Sequence, residues 1–318
     1  MDAPELPRLA RGLLAQVAGG RDARLLVAEL TGEAVALGRF QRAATAVRGR
    51  PARFRRVGGG VALVAGAGTI GVALALPGLG AIAPDKVLNR WVRGLDAGLT
   101  RAGAPGVHYF GRDHVVASGR RLGAVSQEIT AEGEVLFEAI IALNRTLSLA
   151  ADVRGYPTHG DPRIVSLRDV ALAELAPREL TFAGVAQALA EGWAGTNGFA
   201  LKSEEAPPPP AELPMWPEVD EDDTGLEWSG VADVPIGFVE ALARAEGGKI
   251  AEARLRGDFL APSSLVAEME RQVVGAPVDY GAIATRLQGV LAASPIGFLI
   301  GLKDVGVLAE AISTAARA

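Results

Sequence analysis

The chain contains 318 residues, with a formal net charge of −5, 49% apolar residues, 22% charged residues and no cysteine. The negative charge argues against a general nucleic-acid-binding protein, which needs a concentration of lysine and arginine on its surface. The absence of cysteine excludes disulfides, thiolate metal ligands and thiol nucleophiles. The three histidines show no zinc-ligand spacing, so we expect no metal site built from protein side chains.

The first two thirds of the chain mix predicted strands and helices. Apolar residues at helical spacing predict helices, and short apolar runs bounded by glycine or proline predict strands. The predicted helices span residues 7–17, 85–99, 135–149 and 180–193, and the predicted strands span residues 25–30, 34–37, 61–65, 69–76, 107–110, 115–117 and 122–126. Because strands and helices do not alternate regularly, we predict an α+β fold rather than a doubly wound one.

Residues 57–83 carry no charged side chain and follow three arginines, as a membrane anchor would. Six glycines and prolines interrupt this stretch, however, so we interpret it as two buried strands separated by a glycine turn. We therefore predict no membrane span. The first residues include Asp2, Glu5 and two prolines and do not resemble a signal peptide, so we expect a cytoplasmic location.

The composition changes abruptly at residues 203–229, which contain four consecutive prolines followed by an acidic cluster. Consecutive prolines stiffen the backbone and like charges repel, so this segment is predicted to be an exposed linker. Beyond it, predicted elements at 235–245, 249–256, 263–274 and 280–291 indicate a small α/β module. We therefore divide the chain into a large domain (1–202), an acidic proline-rich linker (203–229) and a C-terminal module (230–318).

Residues 55–60, Arg-Arg-Val-Gly-Gly-Gly, form the candidate ligand-binding motif and are called the glycine loop below. Gly58, Gly59 and Gly60 have no Cβ, so their N–H groups can approach a ligand closely. The guanidinium groups of Arg55 and Arg56 supply forked donors that match phosphate or carboxylate oxygens. The motif predicts a site for an anionic ligand such as a nucleotide phosphate. The alternative is a basic loop that ends in a flexible turn.

Three further motifs accompany the glycine loop. Residues 35–41 read VALGRFQ, residues 111–113 and 119–127 read GRD and GRRLGAVSQ, and residues 248–259 read GKIAEARLRGDF. In order and approximate spacing the four motifs resemble those of the lipoate–protein ligase family, within the biotin/lipoate ligase superfamily. The family patterns are a strand ending in G-R-x-Q, an R-R-x-S-G-G-G loop, an N-D … G-R-K-x-x-G-x-A-Q segment and a G-x-I … G-D-F strand pair. The resemblance covers most of the chain.

The resemblance implies a catalytic domain with a mixed, largely antiparallel β-sheet flanked by helices, followed by a small accessory domain. It also implies an enzyme that activates lipoate, octanoate or a related acyl acid with ATP and Mg²⁺. The acyl group would then pass to a lysine of a lipoyl carrier domain, either in a dehydrogenase complex or in the glycine-cleavage H protein. The partners expected are therefore this carrier and a small acyl acid, with no nucleic acid.

The resemblance also assigns site residues. Arg121 falls on the family's reaction-centre lysine and is the candidate catalytic residue. The other candidates for adenylate binding, besides the arginines and glycines of the glycine loop, are Arg39, Asp113, Gly123, Ala124, Val125 and Ser126. Backbone N–H groups of the glycine loop and the Arg55 guanidinium could stabilise charge that develops on the α-phosphate. We expect the glycine loop and the segment around Arg121 to converge on one cleft, with an acyl pocket walled by the apolar strands.

The sequence departs from the family at four places. Arg121 keeps the positive charge of the lysine but is bulkier, planar and forked. Ala124 replaces a glycine and could crowd the ligand. Residues 137–140 (FEAI) stand where the family often has His-Gly-Thr, and residues 64–65 (VA) replace its His-Asp. The polar groups expected around an adenylate are therefore fewer.

Structural roles remain open for several of these residues. Arg39 and Gln41 could simply end an edge strand, Asp113 could cap a turn, and Asp258 is expected to be structural. Three functions remain open as well. They are an active acyl–protein ligase, a homologue that binds an acyl acid or nucleotide without transfer, and an acyltransferase that takes acyl groups from a carrier protein. The third would normally need a lysine near the motif, and none is present there.

Overall fold

The computed structural model describes residues 1–43, 52–78, 80, 82–147, 166–171, 180–197, 201–203, 229–234 and 237–318. The strands are β1 Ala23–Leu30, β2 Ala34–Leu37, β3 Arg53–Arg55, β4 Leu63–Ala65, β5 Thr69–Leu76, β6 Val107–Tyr109, β7 His114–Ala117, β8 Arg120–Ile129, β9 Val135–Ala142, β10 Leu201–Ser203, β11 Ser229–Val234, β12 Gly237–Glu246 and β13 Lys249–Gly257. The α-helices are α1 Leu6–Val17, α2 Val87–Arg101, α3 Leu167–Ala171, α4 Phe182–Asn197, α5 Ser263–Val273, α6 Tyr280–Ala293 and α7 Gly306–Ala315. Short 3₁₀ turns at Ala3–Glu5 and Pro84–Lys86 precede α1 and α2.

A seven-stranded sheet forms the centre of the large domain, with the strand order β10-β1-β5-β9-β8-β7-β6. Only β1 and β10 pair in parallel, and the other neighbours are antiparallel. A second sheet has the order β3-β2-β4, with β2 parallel to β3 and antiparallel to β4. Helices pack against the large sheet, so the predicted α+β fold with a mixed, largely antiparallel sheet is confirmed.

The two faces of the large sheet are covered differently. Side chains alternate along β8 and β9, so Gln127 and Phe137 lie on one face while Ser126 and Glu138 lie on the other. Phe137 makes an edge-to-face contact with Trp193 of α4, which marks the face covered by α2 and α4. The glycine loop covers the opposite face, as its contacts with Glu138 show below.

The predicted helix at residues 135–149 is wrong, because Val135–Ala142 forms strand β9 in the middle of the sheet. All eight residues of β9 are buried, so both faces of the strand are covered. A run of apolar residues that is buried on both faces shows no alternation, and periodicity alone does not separate it from a buried helix. The predicted strand at 122–126 is correct in kind but short, since β8 extends over Arg120–Ile129.

The C-terminal part has its own small sheet, with the order β11-β12-β13; α5 and α7 pack on this sheet, and α6 packs on these two helices. Its apolar core is a cluster separate from the core of the large sheet, and Phe40 from the large domain joins it by stacking on Phe259 at 4.8 Å. The central part of the predicted linker, residues 204–228, lies outside the described residues. Among the helices that the structure describes, none combines the length and the apolar character that a membrane crossing requires.

Helices α2 and α4 approach closely because glycines line their contact. A Cβ added at Gly94 would overlap the ring of Trp193, and a Cβ at Gly192 would overlap the backbone of Gly94 and Gly98. Trp193 is fully buried, and its Nε1 donates a hydrogen bond to the Trp91 carbonyl oxygen at 2.8 Å. The glycines therefore allow a large aromatic side chain to be enclosed between the helices and the sheet.

We expect Gly94→Ala to lower the free energy of unfolding by about 1–3 kcal/mol, because the added methyl group has no space beside Trp193. Chemical denaturation monitored by circular dichroism measures the change. The control is Gly289→Ala in α6, where an added Cβ meets nothing within 4 Å and stability should stay equal or rise slightly. Equal effects of the two substitutions would contradict the packing explanation.

Candidate functional site

The glycine loop joins β3 to β4 and lies against the end of β2. The Arg39 N–H donates to the Gly58 carbonyl oxygen at 3.0 Å, and the Arg56 N–H donates to the Leu37 carbonyl oxygen at 2.8 Å. Gly60 has φ +101°, which glycine adopts without strain, and a Cβ at Gly38 would overlap the Gly60 carbonyl oxygen. The loop therefore depends on glycine both for its backbone angles and for its close approach to β2.

Oxygens of the protein itself accept hydrogen bonds from four N–H groups in and beside the glycine loop. Gly58 N–H and Val57 N–H donate to the two carboxyl oxygens of Glu138, at 2.7 Å and 3.4 Å. Gly60 N–H donates to the Phe259 carbonyl oxygen at 3.2 Å, and Val61 N–H donates to Asp113 Oδ2 at 3.3 Å. Of the three glycine N–H groups that the sequence predicts as donors to an external anion, those of Gly58 and Gly60 are thus engaged by the chain.

The two arginines of the loop also bond to backbone oxygens. Arg55 Nη1 donates to the carbonyl oxygens of Gly38 at 3.0 Å, of Arg39 at 3.3 Å and of Gln41. Arg56 is 3% exposed, and its Nη2 donates to the Val61 carbonyl oxygen at 2.6 Å. In this arrangement both guanidinium groups hold the shape of the glycine loop and of the turn after β2.

Glu138 contacts the glycine loop but is not among the site residues that the sequence predicts. Glu138 belongs to β9, a fully buried strand in the middle of the sheet, and its carboxyl group lies beneath the loop. This carboxyl group also accepts a hydrogen bond from Ser126 Oγ at 3.2 Å. Burial raises the pKa of Glu138, although the Gly58 N–H and the Arg56 charge partly oppose this shift. In the sequence, Glu138 is a charged residue inside an otherwise apolar run. A buried carboxyl group needs hydrogen-bond donors around it, so this pattern could have indicated a polar contact at Glu138.

Asp113, His114 and Arg121 form a polar cluster beside the glycine loop. His114 Nδ1 lies 3.1 Å from Asp113 Oδ1, and Arg121 Nη2 lies 3.4 Å from His114 Nδ1. Burial would raise the pKa of Asp113, but the hydrogen bond with His114 and the charge of Arg121 outweigh it and hold that pKa below its usual value. Asp113 is therefore a neighbour of the glycine loop, and Arg121 is linked to it through His114.

The remaining predicted residues divide between the two faces of β8. Ser126 and Ala124 lie on the face of Glu138, and a Cβ added at Gly58 would come within 2.8 Å of Ser126. Gly123 and Val125 lie on the opposite face, which the helices cover. The structure thus brings Ser126 to the loop and places Ala124 on the same face, whereas the Val125 side chain points to the opposite face.

Residues 257–263 of the C-terminal part close over the site. Gly38 N–H donates to Gln41 Oε1 at 2.7 Å, and Gln41 Nε2 donates to Asp258 Oδ1. Asp258 Oδ2 accepts from the Phe238 N–H at 2.9 Å, so this carboxyl group links the turn after β2 to β12. These contacts give Asp258 a structural role at the junction of the two parts.

Glu128 makes a second link between the parts. Its carboxyl oxygens accept hydrogen bonds from the N–H and the Oγ of Ser263, at 2.8 Å and 2.9 Å. Burial raises the pKa of Glu128 to about 8, with smaller opposing contributions from Ser263 and from the charge of Arg39. At neutral pH this carboxyl group is therefore mostly uncharged.

The described groups around the loop are not free to receive ATP–Mg²⁺ in this arrangement. Both oxygens of Asp113 are engaged, one by Val61 N–H and the other by His114. The small cavity beside Glu138, lined also by Leu6, Phe54 and Arg56, leaves no room for a water molecule. A phosphate group would need the donors that Glu138 and Phe259 now occupy.

Solved structures of lipoate ligases share this architecture. A P. falciparum LipL1 in complex with lipoate covers 91% of this chain and 91% of its own, at 10% identity and a TM-score of 0.56. The structural match thus extends over nearly the whole length of both chains. This chain has the lipoate–protein ligase fold. A lipoate-protein ligase A bound with ATP matches 64% of this chain and 86% of its own at 15% identity, with a TM-score of 0.52.

A bi-partite lipoate protein ligase of Thermoplasma acidophilum, solved in a study with its E2 lipoyl domain, matches at 15% identity with a TM-score of 0.50. It covers 64% of this chain and 84% of its own. No protein-family model and no curated protein matches the sequence. At these identities the comparisons show the fold, and the chemistry of the site has to be argued from this chain's residues.

We expect Glu128→Gln to remove a pH dependence of stability. Because the folded-state pKa of Glu128 lies above the unfolded value, the folded protein keeps a proton that the unfolded chain releases, and stability falls as pH rises from about 4.5 towards about 8. The stability of Glu128→Gln relative to the wild type should therefore grow between pH 5 and pH 9 in chemical denaturation. Glu132→Gln, an exposed neighbour, is the control. Parallel curves for wild type and Glu128→Gln would contradict the shift.

Proposed function

We propose that this protein binds an acyl acid such as lipoate or octanoate at the glycine loop, without passing the acyl group through an adenylate to a carrier. The observation that carries this proposal is the pair of hydrogen bonds from Gly58 and Val57 to the carboxyl group of Glu138. They support a site whose geometry suits one carboxyl group. An acyl acid would bind there by displacing the Glu138 side chain.

Adenylation requires more free donors and cations than binding of an acid does. A reacting phosphate needs donors or cations placed before the reaction, because stabilising its charge is the main catalytic contribution of such a site. Here Arg55 and Arg56 donate to backbone oxygens, and the carboxyl group of Asp113, whose pKa is lowered, places negative charge next to Val61 N–H. These contacts support binding of the acid over its activation.

The second candidate is a complete ligase that uses ATP and Mg²⁺ and transfers the acyl group to a lysine of a lipoyl carrier domain. The observation in its favour is the convergence of the glycine loop with Asp113, and of Asp113 with the cluster that contains Arg121. In this case Glu138 and residues 257–263 would have to move away before ATP binds. The carrier would be a lipoyl domain of a dehydrogenase complex or the glycine-cleavage H protein.

Pyrophosphate release separates the two candidates. With ATP, Mg²⁺ and lipoate, we expect the wild type to release no more pyrophosphate than Gly59→Trp, in which the added side chain collides with the Phe259 backbone. The variant Arg121→Lys restores the lysine that the resemblance places at this position and should show release if Arg121 blocks activation. Release by the wild type well above Gly59→Trp would overturn the first proposal and support the ligase.

Glu138→Ala tests the binding proposal directly. Removing this carboxyl group frees the Gly58 and Val57 N–H groups, so we expect lipoate to bind about tenfold or more tightly, as a charge-assisted hydrogen bond allows. Isothermal titration calorimetry measures the change. Glu270→Ala is the matched control, because Glu270 also accepts a backbone N–H, from Leu255, and pairs with Arg256 away from the loop. Unchanged or weaker lipoate binding in Glu138→Ala would show that the loop is not the binding site.

A further inference from the structure

A second cavity, of about 360 Å³, lies where α1, the β8–β9 hairpin and α5 meet. Its walls are mostly apolar and include Leu14 of α1, Ile129 and Ala131 of the hairpin, and Ala267 of α5. Leu14 and Ile129 are 5% and 0% exposed, so the floor of the cavity is part of the core of the large domain. None of these residues belongs to the glycine loop or to the predicted adenylate-binding set.

Arg11 brings positive charge to this wall. Its Nε atom is buried and has no hydrogen-bond partner among the residues that the structure describes. A buried donor that lacks an acceptor is costly, and a guanidinium group pairs best with a carboxylate or phosphate oxygen. The cavity therefore combines an apolar surface with a donor that an acidic ligand would satisfy.

Three carboxyl groups also line the cavity, but they leave Arg11 available to an acidic ligand. Both oxygens of Glu128 accept hydrogen bonds from Ser263, and burial raises its pKa to about 8, so it is mostly uncharged at neutral pH. Glu134 is hydrogen-bonded to Thr130, and Glu132 is exposed to solvent at the hairpin. Arg11 is thus the one cation among the described residues that line the cavity, and its buried Nε has no acceptor in the described part of the chain.

We propose that this cavity binds a medium-chain fatty acid, with its carboxylate on Arg11 and its aliphatic chain against Leu14, Ile129 and Ala267. Ligand pockets of this kind are mostly apolar, with a few polar groups that fix orientation. The proposal goes beyond the proposed function, because this site uses no residue of the glycine loop. An alkylamine of the same length would bring a like charge to Arg11 and bind poorly.

Calorimetry with octanoate at pH 6.5 tests the proposal. We expect Arg11→Met to weaken binding at least about tenfold, the cost of losing a charge-assisted hydrogen bond, and Arg11→Lys to retain most of it. Ala267→Trp should abolish binding because the indole fills the cavity. Arg8→Met is the matched control, since Arg8 lies on the same helix and pairs with Glu5 at 3.6 Å. Across butyrate, hexanoate and octanoate, affinity should rise about fourfold for each methylene group.

The pH dependence of octanoate binding provides a second readout. Binding should weaken between pH 6.5 and pH 9 as Glu128 ionises, and Glu128→Gln should remove most of that change. The other ionisable groups around Glu128 are Arg11 on α1, Arg39 after β2, Glu138 on β9, and Glu132 and Glu134 in the hairpin. A pH effect that persists in Glu128→Gln would point to one of these groups and contradict the role assigned to Glu128.

Different experimental results would overturn the proposal for the glycine loop and the proposal for the cavity. If Arg11→Met and Ala267→Trp bind octanoate like the wild type while Glu138→Ala alters affinity, the acid binds only at the glycine loop and the cavity proposal is overturned. Equal affinity for octanoate, octanamide and octylamine would also overturn it, because the charge of Arg11 would then play no part. Loss of binding in Arg11→Met with no effect of Glu138→Ala would support the cavity and contradict the proposed function.

Discussion

The rest of the site depends on the hydrogen bonds between the glycine loop and the carboxyl group of Glu138 beneath it. A buried carboxyl group is costly unless donors surround it, and here the donors are Gly58 N–H, Val57 N–H and Ser126 Oγ. These hydrogen bonds hold the loop close to β8. Residue 58 has to be glycine at this distance, because a Cβ there would overlap Ser126. The loop and the sheet are therefore held together by a group that competes with any external anion.

The C-terminal part adds a second constraint on the same loop. The Phe259 carbonyl oxygen accepts the Gly60 N–H, Phe40 stacks on Phe259, and Asp258 reaches the turn after β2 through Gln41. Together with the Glu128–Ser263 link, and with Leu260, Ile296 and Phe298, which belong to the core of the large sheet, these contacts join the C-terminal part to the large domain. Access to the loop is thus coupled to the position of residues 257–263.

The comparison with lipoate ligases shows why fold and chemistry need separate arguments. The architecture matches over most of the chain, yet sequence identity is 10–15%. In this protein Arg55, Arg56 and Asp113 are engaged by other groups of the chain. A shared fold places the loop, Asp113 and Arg121 near one another, but it does not determine whether their donors face a ligand.

The sequence by itself determined the local features whose causes lie within a few residues. Glycine and proline positions located β4 and β5 after the glycine loop, apolar residues at helical spacing located α1, α2 and α4, and the irregular alternation of strands and helices indicated the α+β fold. The sequence analysis did not predict β3, which precedes the loop. It misplaced residues 135–149 as a helix, because β9 is buried on both faces and carries no alternating pattern.

Only the tertiary structure decided which partners each polar group has. Glu138 is 80 residues from Gly58 along the chain, Asp258 is 217 residues from Gln41, and Ser263 is 135 residues from Glu128. Local pattern contains no information on contacts at such separations, because they arise from the packing of the sheet, the loop and the C-terminal part together. The sequence thus indicated a loop suited to an anion, while tertiary packing determined that the chain's own carboxyl group occupies it.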